Sequence, residues 1–582
     1  MKHFFSTTKT ILALLAVGLC VSCSDTWKDH YSVDPEVVPD VSILDRLEGN
    51  AQTSNFVKVL KTTKTFNGKK IVDDVSYYDL LGADQFLTVW APVNSAVPDS
   101  LWNIYMKENK NYEENYETSL RFIKNHIARF NHPVGREETV TMMSAKRFLM
   151  KSDEIQHSKY IASNQSCKNG ILHIVDKQIE FTPSLYEFIT TDPQFKDNLG
   201  AFFASYTKYE INEEKSVPAG IKDGKMVYVD SVLDEKSILM DKFGYINRED
   251  SNYIVVLPTG QGWKSMYEKI LPRFDYAYYE GADSLSRLWV SESLLQDAFF
   301  NANSYAQTFG DVWMTTTFDR DDYLQTGKPY HLYPSNAFEQ DGYFGSHTIE
   351  IVECSNGKVY LCDEWPFDPD FTYDAPVIRE AENPEGFTME NETSVTNEKR
   401  PTRLNNVPWL DDGRPAFTLS DISRGKLLQI KGPLATSKWD VFFGLYDNLS
   451  TDTLTNTGYY DVKIVVFPWT IVEKQMDEGE SAYPNIFTAA LEYYDKDGKY
   501  QILTALNEKG RKKEFENNMG RADTITLFSN VNLPVCNFEM EGEPNVVLNL
   551  TSAITSTKAR NHFNTMLLDC IILEPVKPVA DE

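Results

Sequence analysis

Cys167-Lys168-Asn169-Gly170-Ile171-Leu172-His173-Ile174-Val175-Asp176 is matched further along the chain by Cys354-Ser355-Asn356-Gly357-Lys358-Val359-Tyr360-Leu361-Cys362-Asp363. The shared pattern is C-x-N-G-x-[LV]-[HY]-[IL]-x-D. Asn-Gly supplies the positive φ angles of a two-residue turn, and strand-forming residues follow it, so each copy predicts a tight β-hairpin. Two other landmarks recur in the same order. Each copy begins with a Ser helix cap and an acid three residues on, Ser42-Ile43-Leu44-Asp45 and Ser184-Leu185-Tyr186-Glu187. Short amphipathic runs follow, Phe56/Val59/Leu60 and Phe195/Leu199/Phe202. Between cap and hairpin, FLTVWAPVNSAV from Phe86 and YIVVLPTGQGW from Tyr253 read as apolar strands closed by Pro92 and Pro258. The copies are 142, 166 and 187 residues apart at the three landmarks, so the second carries insertions between them.

A helix pair leads to Thr88-Val89-Trp90-Ala91-Pro92-Val93-Asn94-Ser95-Ala96, then to Asn125-His126-Ile127, then to Asn169-Gly170-Ile171-Leu172-His173-Ile174-Val175-Asp176. That order resembles the fasciclin (FAS1) domain. The match defines a first fasciclin-like domain over 41–182 and a degenerate second one over 183–373. In the second, Gly260 stands where Asn94 does, His126 has no clear equivalent, and 285–300 offers a helix. The resemblance implies a compact α+β wedge around a β-sandwich, in a family implicated in adhesion and extracellular binding and not generally enzymatic. His126 lies beside the apolar stripe Leu120/Ile123/Ile127/Phe130 and reads as a satisfied, buried histidine. Asn94 reads as a turn-former bonded to backbone, and His173 as packing.

From about residue 374 the texture changes. A polar stretch gives way to alternating runs such as WDVFFGLY, YDVKIVVF and FTAALEYYDKDGKYQIL. Val462, Ile464 and Val466 fall on one face, with Asp461 and Lys463 on the other. An antiparallel β-sandwich over 374–582 is expected. The DKDG segment from Asp495 lacks the later carboxylates of a calcium loop and reads as a hairpin turn. The terminal LLDCIILEP resembles the last strand of galactose-binding-like jelly rolls, many of which bind carbohydrate. That resemblance implies candidate ligand contacts at Trp409, Asp411 and Asp412 in the polar loop PWLDDGRP, and at Trp439 near a strand end. The fold class expected is therefore α+β: two fasciclin-like domains followed by an all-β jelly-roll sandwich.

The N-terminus sets the compartment. Lys2 and Lys9 precede the apolar run ILALLAVGL (11–19), which suits a signal h-region and is too short to span a bilayer. Ser22 before Cys23 resembles the lipobox of bacterial lipoproteins, although Cys20 stands where Leu is usual. The resemblance implies a signal peptide over 1–22 and a lipid anchor on Cys23. Residues 23–40, with Pro35 and Pro39, read as an extended tether, and CSDTWKDHY looks like the opening of Bacteroidetes surface lipoproteins. No other apolar run reaches spanning length. Five cysteines remain after Cys23, an odd number without CxxC spacing, so buried free thiols are expected. On an Asn356-Gly357 turn, Cys354 would face Val359 and Cys362 would face Ile351, too far apart for a disulfide.

A net charge of −28 without a basic stripe argues against a nucleic-acid partner. The chain shows no GxSxG elbow, P-loop, HExxH or dinucleotide fingerprint, and its nine His have no metal-ligand spacing. No cofactor, metal or catalytic residue is expected. By lineage analogy, the leading reading is an outer-membrane surface lipoprotein that binds a glycan or works beside a SusC/SusD-like nutrient importer. Adhesion and glycoside hydrolysis are the alternatives.

Overall fold

The structure is a computed structural model. It describes residues 40–576 apart from 84, 223–224, 303–311, 318–331, 368–375, 382–386, 391–392, 399–414, 416–417, 419–420, 423–425, 446–455, 472–482, 538–539 and 541–545. β-Strand predominates.

The duplicated landmarks fold into duplicated geometry. In the first unit, helix α1 (Ile43–Glu48) opens on a full capping box of Ser42 and Asp45. Strands β1 (Leu87–Pro92) and β2 (Gly170–Val175) are buried along their whole length. They pair in parallel, from Leu87↔Gly170 to Pro92↔Val175, inside a seven-stranded sheet. In the second unit, α2 (Leu185–Thr191) opens on the Ser184/Glu187 capping box. There β3 (Tyr253–Pro258) and β4 (Gly357–Cys362) pair in parallel from Tyr253↔Gly357 to Pro258↔Cys362, inside a four-stranded sheet. Strands β1, β2 and most of β3 are buried on both faces, as parallel strands usually are, and read as apolar runs, whereas β4 carries exposed Lys358.

The Asn-Gly pairs do not form the turn expected of them. Cys167 pairs with Gly170 and Cys354 with Gly357, so the turn residues are Lys168-Asn169 and Ser355-Asn356. The two asparagines are buried ties instead. Asn169 Oδ1 accepts the N–H of Ile43 at 2.9 Å, and its Nδ2 donates to Leu81 O at 2.8 Å. Asn356 repeats this with Leu185 N–H at 2.9 Å and Ile246 O at 2.7 Å. Each glycine, at φ +142° and +152°, opens the second strand of the parallel pair. A Cβ on Gly170 would come within 1.8 Å of Leu87 O, and one on Gly357 within 2.0 Å of Tyr253 O. The side chain of Asn is thus used for helix capping, and the missing side chain of Gly for strand approach. The register moves with the turn. Cys354 faces Gly357 and Cys362 faces Thr348, not the residues expected. None of the five described cysteines is in a disulfide; Cys354 is half-buried and the others are buried.

Where Asn94 ties its strand end to the first unit, Gly260 substitutes close approach. Asn94 accepts from Asn55 N–H at 3.0 Å and donates to Ala51 O at 3.0 Å. A Cβ on Gly260 would come within 2.3 Å of Gln194 O.

Contacts cross the 182/183 boundary between the units. A hairpin of the second, Val217–Lys222 with Lys225–Asp230, lies on the first. Val217 joins the first unit's core. Asp230, fully buried, accepts from Phe66 N–H and Tyr77 OH at 3.1 Å each and pairs with Lys124 at 2.9 Å. From the other side, Lys146 of the first unit is buried against Glu187 at 2.5 Å and Glu249 at 2.7 Å, and donates to Ser355 Oγ at 3.2 Å.

The C-terminal part is two antiparallel six-stranded sheets that share one core. Its strands include β5 (Asp440–Gly444), β6 (Gly458–Phe467), β7 (Ile486–Tyr494), β8 (Tyr500–Thr504), β9 (Val546–Ser552) and β10 (Met566–Pro575). Val462, Ile464 and Val466 are buried, and Asp461 and Lys463 are not. The LLDCIILEP segment forms β10, paired with β6 in the middle of one sheet. The second unit docks on the sandwich through Thr457 N–H to Arg273 O at 2.7 Å and Cys536 N–H to Asp275 O at 2.8 Å.

Candidate functional site

The site builds from the DKDG turn, which is a hairpin as its sequence implies. Asp495 Oδ1 accepts the N–H groups of Asp497 at 3.0 Å and Lys499 at 2.9 Å, and Gly498 takes φ +72°. These backbone donors, Lys499 first, hold the Asp495 carboxyl below its usual range. The turn sets the ladder Tyr494↔Tyr500, Glu492↔Ile502, Ala490↔Thr504 between β7 and β8. Strand alternation sends Phe487, Ala489 and Leu491 into the core and the residues between them outward.

The outward face continues across the sheet through Ala490↔Asn549↔Phe442 and Thr488↔Thr551↔Asp440. Its centre is small and polar. Asp440 Oδ1 accepts from Asn549 Nδ2 at 2.6 Å and lies 2.9 Å from Thr551 Oγ1, which is also 3.0 Å from Asn549 Oδ1. Its hairpin end is aromatic. Tyr494 packs against Tyr500 at 5.7 Å and against Tyr278 of the second unit at 6.3 Å. Tyr500 is 51% and Ile502 59% exposed, so a ring and an apolar side chain face solvent on the same sheet face as the polar cluster, several residues further along the strands. Tyr500 OH donates to Glu492 Oε2. Desolvation, then this bond, pushes the phenol up to about 12, so it remains a protonated donor. Exposed rings at one end of a sheet face and amide, hydroxyl and carboxylate groups further along it can meet successive residues of a glycan chain, the rings by stacking and the polar groups through hydroxyls.

The residues expected to bind from the sequence fall differently. Trp409, Asp411 and Asp412 lie outside the described residues, as does Cys23. Trp439 is corrected: it is 1% exposed, belongs to the sandwich core and donates its indole N–H to Asn564 O at 2.9 Å. The large apolar ring wins over the strand-end position, because one buried acceptor satisfies its single donor. Tyr494, Tyr500, Phe442 and Asn549 were missed. The signal was alternation on both sides of DKDG, which puts Tyr494 and Tyr500 on one face.

The first-unit histidines are internal. His126 Nδ1 bonds Phe122 O at 2.7 Å and its Nε2 accepts Ile179 N–H at 2.9 Å. His173 accepts Asn164 N–H at 3.2 Å, bonds His132 O at 3.1 Å and stacks on Trp90 at 5.4 Å. Desolvation pulls both imidazoles down to about 4. With both nitrogens bonded, neither is free for a ligand. Among the described residues, no group of three His, Cys, Asp or Glu is arranged to hold a metal, and no helix is long and apolar enough to cross a membrane.

No family model matches the chain, and no curated protein matches it. Among solved structures, it is similar to a FAS1 domain pair from the insect cell adhesion molecule fasciclin I. That match has 14% identity, covers 56% of this chain and 99% of that one, and has a TM-score of 0.18. A xylan-binding domain of carbohydrate-binding module family 22 matches at 12% identity over 35% of this chain and 99% of its own, with a TM-score of 0.19. The CBM22-1–GH10 modules of a Clostridium thermocellum xylanase match at 10% identity over 34% of this chain, which spans 28% of theirs, with a TM-score of 0.19. At such values these are likenesses and nothing more.

Proposed function

We propose that this chain is a lipid-anchored surface protein that binds and does not catalyse, and that its C-terminal sandwich holds a glycan on the outward face of β5, β7, β8 and β9. The observation that carries the reading is that exposed Tyr500 and Tyr494 and the Asp440–Asn549–Thr551 cluster lie on one solvent-side sheet face. The anchor rests on Cys23 and the apolar run before it. The partner beyond the glycan is an outer-membrane importer of the SusC/SusD kind, on the resemblance of CSDTWKDHY to Bacteroidetes lipoproteins.

Affinity electrophoresis against a panel of soluble polysaccharides tests the site. At least one polysaccharide should retard the protein. Tyr500→Ala should weaken retardation about tenfold, the worth of one stacked ring. Trp439→Phe should leave it unchanged in protein that still folds. Retardation by no polysaccharide, or equal retardation of the Tyr500→Ala variant, refutes the assignment. Release of reducing sugar would instead establish a hydrolase.

A further inference from the structure

A cavity of about 430 Å³ lies between the two repeat units, away from the sandwich face. Tyr112 and Tyr116 wall it from the first unit, and Tyr209, Glu235 and Asn247 from the second. Tyr112 and Tyr116 are one turn apart on the helix Tyr112–Glu117, with planes 7° apart and centroids at 6.2 Å. Phe66 braces both edge-on, at 5.8 and 5.7 Å. Both residues are partly exposed, at 42% and 43%. The ring of Tyr209 already carries an ammonium: Lys69 Nζ sits 3.4 Å from its centroid.

The carboxylates around the cavity have ion pairs except for one. Lys146 serves Glu187 and Glu249, and Lys124 serves Asp230. Glu235 has no ion-pair partner among the described residues; Asn247 Nδ2 donates to its Oε2 at 3.3 Å. Desolvation, then the charge of Glu187, pushes its carboxyl up to about 7. Asn247 Oδ1 is buried without a donor. The walls therefore present an unpaired carboxylate, a free amide oxygen and aromatic rings, while the ammoniums in the lining are turned to other partners, Lys124 to Asp230 and Lys69 to the Tyr209 ring. A half-buried carboxylate without a cation is costly, and tyrosine faces attract cations.

We propose that this inter-repeat cavity binds an organic ammonium ion, with Glu235 as counter-ion and the partly exposed rings of Tyr112 and Tyr116 as its aromatic wall. The site is independent of the glycan face. Glu187, Asp234, Glu249, Lys146, Lys124 and Lys69 are the other charges around Glu235. Binding expels the Glu235 proton, so affinity rises between pH 6 and pH 8.

The probe is choline, titrated calorimetrically into the intact chain, with its uncharged carbon counterpart 3,3-dimethylbutan-1-ol as control. Choline should bind saturably, and the alcohol about tenfold more weakly or worse. Glu235→Gln should cost choline about tenfold and flatten the pH dependence. Tyr112→Ala should weaken choline, and Lys69→Ala should strengthen it by removing a resident competitor. Both of these side chains are exposed, so they decide the matter if Glu235→Gln does not fold. Absence of choline binding, equal binding of the alcohol, or unchanged binding by folded Glu235→Gln and Tyr112→Ala overturns the proposal.

Discussion

A single buried imidazole shows how strongly this chain fixes protonation. His126 and His173 have both ring nitrogens bonded inside the first unit, and desolvation holds each down to about 4. In the unfolded chain each titrates near 6.5. Between those values the unfolded state binds more protons, so the stabilising contribution is complete above pH 6.5 and is lost as pH falls through 4. The loss approaches about 3 kcal/mol per histidine, because each tenfold drop in proton affinity is worth about 1.4 kcal/mol. Urea midpoints of the first unit should drop steeply from pH 6.5 to pH 4. His173→Phe should reduce that slope, and an unchanged slope would show that other groups carry the acid sensitivity.

At the scale of elements, the Asn-Gly pairs are the most informative feature, and their role was only half legible. The sequence located them, repeated them and placed a hairpin at each. It did not indicate that Asn169 and Asn356 would turn inward to hold α1 and α2, because that tie spans 126 and 171 residues. Gly170→Ala drives a methyl into Leu87 O and should cost more than about 4 kcal/mol, if the variant folds at all. Asn356→Ala strands the N–H of Leu185 and the carbonyl of Ile246, and should cost about 2–4 kcal/mol. Denaturant unfolding measures both. A cost for Gly170→Ala like that of an ordinary surface turn, under about 1 kcal/mol, would contradict the close approach. On the sandwich, alternation made the outward face of β6 legible. The same rule carried across DKDG points to the tyrosine ladder, whereas the strand-end position of Trp439 gave no sign of its burial.

For the whole molecule, the question is whether the two repeat units behave as one. Lys146 and Asp230 each cross between them in buried ion pairs. Lys146→Met leaves Glu187 and Glu249 facing each other unpaired, and should cost about 3–5 kcal/mol. Calorimetry should show one transition for both units in the wild-type chain and a separated or broadened one in Lys146→Met; two independent transitions in the wild type would dissolve the unit pair. The sequence by itself determined the repeat, the proline-closed apolar strands, the alternating sandwich strands and the DKDG turn, since these depend on local periodicity, capping and turn chemistry. Only the tertiary structure decided the hairpin laid across the units, the buried Lys146 and Asp230 pairs, the cavity around Glu235 and the burial of Trp439. Each of those brings together side chains many residues apart, and burial, which decides their charge and partners, is a property of the packed chain and not of any stretch of it.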